Sequence, residues 1–248
     1  MPPVVNPFEI LASTDSTNNY AMGMIRDGSA KHGAAWFSYE QTHGKGRRGK
    51  QWKAEKGKNI MMSIAVTTGF LTVYQQFHLV VAASLATIGF FKRYAGDECT
   101  IKWPNDIFWN DRKAGGILVE NVIKGQTWQW AVIGIGININ QVEFNLASEF
   151  KPVSLKQVTG KDFDVIQLAK ELHAGVLERY EELRINGIEK MLGEYNNCLY
   201  RLGKKVLLKK NRAVFETIVK GVSPEGKLNT ADTLERQFDF DEVTWLNL

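Results

Sequence analysis

Apolar and polar positions alternate along the chain in two rhythms, one of period two and one of helical spacing. Residues 8–12 read as a short strand, and Ala21, Met24 and Ile25 then recur at helical spacing behind a Ser/Thr/Asp/Asn cluster suited to capping. The pattern predicts a helix from about Thr17 that stops at Asp27-Gly28, where glycine takes the left-handed cap. Large apolar residues predict a strand over 34–39, a glycine- and lysine-rich loop follows, and a second strand resumes over 60–66. A helix over about 74–94 precedes two short strands, Ile101-Lys102 and Ile107-Phe108-Trp109, joined by the turn Trp103-Pro104-Asn105-Asp106. Alternation through Trp128, Trp130 and Val132 predicts a strand over 127–137 that ends in Gly134-Ile135-Gly136-Ile137-Asn138. From Val165 to about Tyr200 the spacing turns helical, with Leu168, Leu172, Val176 and Tyr180 on one apolar face. Short alternating runs return after Leu202-Gly203, divided by the turn Ser223-Pro224-Glu225-Gly226.

This order is mixed rather than strictly βαβ, so the expected fold is α+β, with helices on a mixed, mainly antiparallel sheet. Residues 1–200 form the expected main domain. Residues 201–248 can build only a small barrel-like sheet that leans on it. The 248 residues are 44% hydrophobic and 23% charged, an ordinary globular balance, and the net charge of +4 is too small by itself to imply a nucleic acid or an anionic membrane. Cys99 and Cys198 show neither metal-ligand nor redox spacing and read as buried apolar residues of a reducing compartment, so a cytoplasmic location is expected. No secretory signal is visible, and the apolar stretch 77–91 is shorter than a membrane span and reads as a core helix.

Candidate chemistry concentrates in four segments. Between Gln41 and Lys58 lie seven Lys or Arg residues against the single acidic Glu55, and Gly44, Gly46 and Gly49 interrupt them. Interleaved glycines bring backbone amides close to a ligand, and guanidinium groups fork onto phosphate or carboxylate oxygens. The loop lacks the spacing of a P-loop. Trp52, just beyond it, can stack on a base or pack against glycines. The second segment is Lys102-Trp103-Pro104-Asn105-Asp106 with Lys113-Ala114-Gly115-Gly116-Ile117-Leu118, where hairpin spacing predicts Lys113 and Asp106 near the same end of the sheet. The third is Gly134-Ile135-Gly136-Ile137-Asn138, readable as a β-bulge with turn asparagines. The fourth, Ser13-Thr14-Asp15-Ser16-Thr17-Asn18-Asn19, is either an N-cap or a set of short donors and acceptors for a polar head group.

Taken together and in this order, the four segments resemble the biotin protein ligases, the biotin–acetyl-CoA-carboxylase ligases, over residues 9 to about 140. The resemblance implies a class II synthetase-like catalytic domain and an SH3-like C-terminal barrel. It implies that Ser16, Thr17, Asn18 and Gln41 contact biotin. Gly44, Lys45, Gly46, Arg47 and Arg48 would close over the biotin carboxylate and adenylate phosphate, with Lys113, Gly115 and Gly116 in the same region. Trp52 and Asn138 would stand on the adenine side. The implied reaction activates biotin with ATP and Mg²⁺ to biotinyl-AMP. The biotinyl group then passes to a lysine of a biotin carboxyl carrier protein.

No protein nucleophile is required, because a carboxylate attacks the α-phosphate directly. Arg47, Arg48, Lys113 and an ATP-held Mg²⁺ neutralise the developing charge, and no protein metal site is expected. Asp106 is the candidate base for the acceptor amine, which is otherwise protonated at neutral pH. Lys45 and Lys50 stand where many members carry arginine, and Lys53-Ala54-Glu55 replaces a frequent Ser-Pro. The motif begins by Glu9, which leaves too few residues for a helix-turn-helix domain, so a ligase without a repressor role is expected, with no DNA or membrane partner and a possible homodimer. A lipoate-type ligase and a nucleic-acid-binding module are the alternative readings.

Overall fold

A computed structural model describes residues 7–124, 127–144 and 150–246. Seven strands form one sheet: β1 (Phe8–Leu11), β2 (Ala35–Ser38), β3 (Asn59–Thr67), β4 (Cys99–Lys102), β5 (Asp106–Trp109), β6 (Arg112–Lys124) and β7 (Thr127–Asn138). Their order is β1-β2-β3-β7-β6-β5-β4, with only β1 and β2 parallel. The mainly antiparallel α+β expectation holds.

Period-two alternation divides the central strands between two faces. In β3, Ile60, Met62, Ile64 and Val66 enter the larger core, as do Ile133, Ile135 and Ile137 of β7. Helices α2 (Gln76–Ala95) and α4 (Val165–Asn186) cover that face, packed against each other. Most of α2 is buried, so it is the expected core helix. The opposite face carries Ser63 of β3 and Val132, Gly134, Gly136 and Asn138 of β7, and α1 (Thr17–Arg26) lies over part of it. With the cores filled by branched side chains on one side, the other side is free for small and polar residues.

The helical stretch from Val165 divides into two helices. Gly187, at φ 74°, ends α4 with its N–H on the Leu183 carbonyl at 3.0 Å, and α5 (Glu189–Asn197) starts anew. A short helix, α3 (Leu155–Thr159), was not expected; Ser154 and Gln157 form its capping box. The C-terminal sheet has order β11-β10-β9-β8-β12, from β8 (Lys205–Lys210), β9 (Ala213–Val222), β10 (Leu228–Ala231), β11 (Glu235–Phe238) and β12 (Thr244–Leu246). Val206, Leu208, Leu228, Phe238 and Trp245 join the same buried core as the large sheet, and Trp103 Nε1 donates to Gly226 O at 2.9 Å across the junction.

His173 on α4 contacts the Gly33 carbonyl through Nε2 at 2.8 Å, which ties the helix to the strand entering the sheet. Burial holds His32, His78 and His173 below the ordinary imidazole range. As pH falls through about 6.5 the unfolded chain therefore takes up protons before the folded one, and stability drops. Urea midpoints should be lower at about pH 5.5 than at about pH 7.5, by less in His173→Gln than in the wild type. An equal pH effect in the two proteins would remove His173 from the account.

Candidate active site

The sheet's register assembles the floor of the site. Gly116 pairs with Asp106 and with Gly136, and Gly136 with Met61, giving one row across β5, β6, β7 and β3. One two-residue step away, Leu118 pairs with Gly134 and Gly134 with Ser63. Three glycines thus leave space above the sheet where side chains would otherwise stand. A cavity of about 700 Å³ occupies it, within the size range of small-molecule sites. The reading of Gly134–Gly136 as a bulge does not hold, since both lie in regular ladder on each side. An irregularity occurs instead between β5 and β6, where Ile107 faces Gly115 and Phe108 faces Lys113. It inserts Ala114, which turns into the core, and Lys113 Nζ reaches Asp106 Oδ1 at 2.7 Å. The expected proximity of Lys113 and Asp106 is present.

At one end of the cavity lies a polar cluster. Thr14 bridges Gln41 in parallel, which extends the β1–β2 pair and sets Gln41 at the start of α1. Its Oε1 accepts from Thr17 N at 2.7 Å and Thr17 Oγ1 at 3.1 Å, so glutamine rather than the helix's own N-cap residue satisfies the first amide. Ser63 Oγ is 2.7 Å from Thr17 Oγ1 and 2.5 Å from Asn18 Oδ1. Asn18 rests directly on Gly134: a Cβ there would lie 2.2 Å from Asn18 Oδ1. Ser16, Thr17, Asn18 and Gln41 all line the cavity, and the first three are buried.

The basic loop covers the other end. Lys45 bridges Gln51, Gly46 N donates to Lys50 O at 2.7 Å and Trp52 N to Gly44 O at 2.9 Å, so the loop closes as a small hairpin. Arg47 points into the cavity, where Nη1 contacts Asn105 Oδ1 at 3.4 Å, Nη2 pairs with Asp241 at 3.0 Å, and the guanidinium lies 5.2 Å from the Phe240 ring. Burial lowers its pKa, opposed by the Asp106 charge. Arg48 pairs with the same Asp241. Beyond the loop, Gln141 Oε1 accepts from Glu55 N at 3.0 Å, mooring the Lys53-Ala54-Glu55 segment that departs from the pattern.

Gly115 and Gly116 take distinct roles. Gly116 belongs to the cavity, whereas Gly115 faces Ile137 in the core side of the sheet. Gly44 lies in a shallow annex under the loop. Asn138 lines the cavity, but its Nδ2 donates to the Val153 carbonyl at 3.1 Å and thereby holds the segment bridged to Lys113. Trp52 lies against Gly136, with Nε1 buried and unpartnered, as is Nε1 of Trp245, another residue of the cavity wall. Such donors are costly to leave unmade and mark places where a ligand acceptor gains most. Among the described residues no three His, Cys, Asp or Glu converge as a metal cage.

Sequence reasoning missed Ser63, Glu120 and Asp241. Ser63 is the polar residue on the off-phase of an apolar strand, a signal that alternation carries. Glu120 shares the phase of Gly116 and Leu118 on β6 but contacts Asn18 across the sheet, and Asp241 comes from another sheet; neither partnership is local in sequence.

The fold and site define a class: a protein whose glycine-floored cavity gathers a neutral polar cluster at one end and paired cations at the other, suited to joining a carboxylic acid to a nucleotide phosphate. The model of the Biotin/lipoate A/B protein ligase family matches residues 10–138, and the chain belongs to that family. The chain is 26% identical to the bifunctional ligase/repressor BirA of Bacillus subtilis over 222 residues, 89% of this chain and 67% of that protein. It is 29% identical to the biotin–[acetyl-CoA-carboxylase] ligase of Paracoccus denitrificans over 231 residues, 88% of this chain and 92% of that one. The fold matches the biotin protein ligase from Aquifex aeolicus, solved with biotin and ATP, at a TM-score of 0.81 and 20% identity, covering 96% and 98% of the two chains.

A Cβ on Gly136 would lie 2.5 Å from Trp52 Cε2, so Gly136→Ala must displace the indole and loosen the loop it anchors. Overpacking of ~1–3 kcal/mol should speed tryptic cleavage in the loop by ~5-fold or more while far-UV circular dichroism is unchanged. Unaltered cleavage would mean that the indole does not hold the loop.

Proposed function

We infer that the protein is a biotin protein ligase, activating biotin with ATP to biotinyl-AMP and transferring it to a lysine of a biotin carboxyl carrier protein. The observation that carries this is the placement of Asn18 over Gly134, hydrogen-bonded into a cluster with Thr17, Ser63 and Gln41, while Lys113 stands beside Gly116, one two-residue step (~7 Å) along the strands, and Arg47 enters the same cavity from the basic loop. A bicyclic ureido head needs short donors and acceptors, and the carboxylate at the end of its chain then falls beside the cations. The names of the relatives, which include ligases of biotin to a carboxylase, agree with this assignment.

Two anions must come within bonding distance in the first half-reaction. Arg47 and Lys113 offset that repulsion on the acid and the α-phosphate as pyrophosphate leaves. Mg²⁺ arrives bound to the ATP phosphates and supplies further charge neutralisation. In the second half-reaction the acceptor ammonium loses a proton to Asp106 and the free amine attacks the acyl carbon, expelling AMP. A pair of chains and a cytoplasmic location belong to the same proposal; the thiols of Cys99 and Cys198, both free, suit a reducing compartment.

The wild-type protein should exchange labelled pyrophosphate into ATP only when biotin is present, and Lys113→Ala should lose that exchange by ~100-fold or more. Exchange with lipoate instead of biotin would keep the family and change the substrate. Exchange with neither acid would overturn the reading.

In single-turnover transfer from preformed biotinyl-AMP, Asp106→Asn should slow acylation of the carrier lysine by ~100-fold. Pyrophosphate exchange should fall less. Transfer as fast as wild type across the pH range would remove Asp106 as the base.

A further inference from the structure

Glu120 has no part in the reaction as derived, yet it is an acidic residue that lines the shallow annex under the basic loop, beside a cavity built for anions. It extends from β6, on the same face as Gly116 and Leu118, and its two oxygens serve different elements. Oε2 accepts from Asn18 Nδ2 at 2.7 Å, and Oε1 pairs with Lys45 Nζ at 3.1 Å. Asn18 belongs to the polar cluster on α1 and Lys45 to the basic loop that covers the cavity.

A carboxylate only accepts, so Glu120 fixes which way the Asn18 amide points. The NH₂ must face Glu120, and the carbonyl is thereby presented to Ser63 Oγ and the cavity. With Asn18 only 3% exposed and Gly134 directly beneath it, the reversed amide would set its carbonyl against a carboxylate, without water to relieve it. The same carboxylate supplies a counter-charge for Lys45, and so ties the near edge of the loop to the element that carries Asn18.

We propose that Glu120 is a positioning residue that orients the Asn18 amide for the biotin head group and latches the basic loop through Lys45. This rests on the reading of the protein as a biotin ligase. The two tasks are chemically separable. A glutamine at this position can still accept from Asn18 through its carbonyl but cannot hold the lysine by charge, and an alanine can do neither.

The test uses the intact protein with biotin and MgATP, after biotin-dependent exchange has been confirmed for the wild type. Glu120→Ala should raise the KM for biotin ~10-fold or more with a smaller change in kcat, and Glu120→Gln should restore the KM to within about 3-fold of wild type. Release of preformed biotinyl-AMP, followed by rapid filtration, should be about 2- to 5-fold faster in both variants at low salt. The difference should shrink at high salt, as expected for a partly exposed pair. In a Lys45→Gln background the Glu120→Gln change should have no further effect on release. An unchanged biotin KM in Glu120→Ala, or a KM as high in Glu120→Gln as in Glu120→Ala, overturns the orienting role. Unchanged release, or an effect that persists in the Lys45→Gln background, overturns the latch. Lack of biotin-dependent exchange in the wild type overturns the functional reading, and this proposal with it.

Discussion

The alternation of β7 is the constraint on which the site depends. Ile133, Ile135 and Ile137 fill the core under α2 and α4, while Gly134 and Gly136 leave the opposite face without side chains. The antiparallel register then repeats the vacancy on β6 at Gly116 and frames it with Asp106 on one side and Ser63 on the other. A cavity needs a rigid floor, and a central strand buried on one face by branched residues supplies one. Three side chains of the ligand space are laid over this floor: Asn18 on Gly134, Trp52 on Gly136, Lys113 beside Gly116.

The C-terminal sheet is part of this arrangement rather than an appendage to it. Phe240 lies against both Phe77 of α2 and Trp103 of the turn before β5, and Trp103 donates to the Gly226 carbonyl. That packing brings Asp241, at φ 79°, to the cavity rim, where it receives Arg47 and Arg48. Loss of the C-terminal sheet would therefore remove both a wall of the cavity and the counter-charge of the loop, even though its strands contribute none of the sequence motifs.

Much of the fold was legible because the large sheet obeys period two and its helices stop at recognisable glycines, as at Asp27-Gly28. The helical character of 165–200 was legible but not where it divides, because the apolar spacing persists across Gly187, whose positive φ separates α4 from α5. The motif residues of the site were legible because they are contiguous in sequence. Their partners were not. Glu120 meets Asn18 across 102 positions and Asp241 meets Arg47 across 194, distances over which only the completed register and the docking of two sheets decide who is adjacent. Asn138 shows the converse: the motif located it correctly at the cavity, but its amide is engaged in holding Val153.

Charge pairing across the site follows one rule. Lys45 meets Glu120, Lys113 meets Asp106, and Arg47 and Arg48 share Asp241, so four cations that would otherwise repel each other around one cavity are paired with three carboxylates, each from a strand or loop other than the cation's own. None of these pairs is fully buried; their side chains remain between 25% and 47% exposed. An exposed pair contributes about 0.2–1 kcal/mol, whereas a buried one resists loss of either partner by several times that. The distinction matters for an enzyme whose ligands are themselves anions. Cations locked in buried pairs would have to be extracted before they could meet a phosphate, and cations with no partner would splay the loop apart before ligand arrived. Weak, solvent-reached pairs hold the cations in place and surrender them to a polyanion at little cost, which is why acidic residues belong at the rim of a site that binds negative charge.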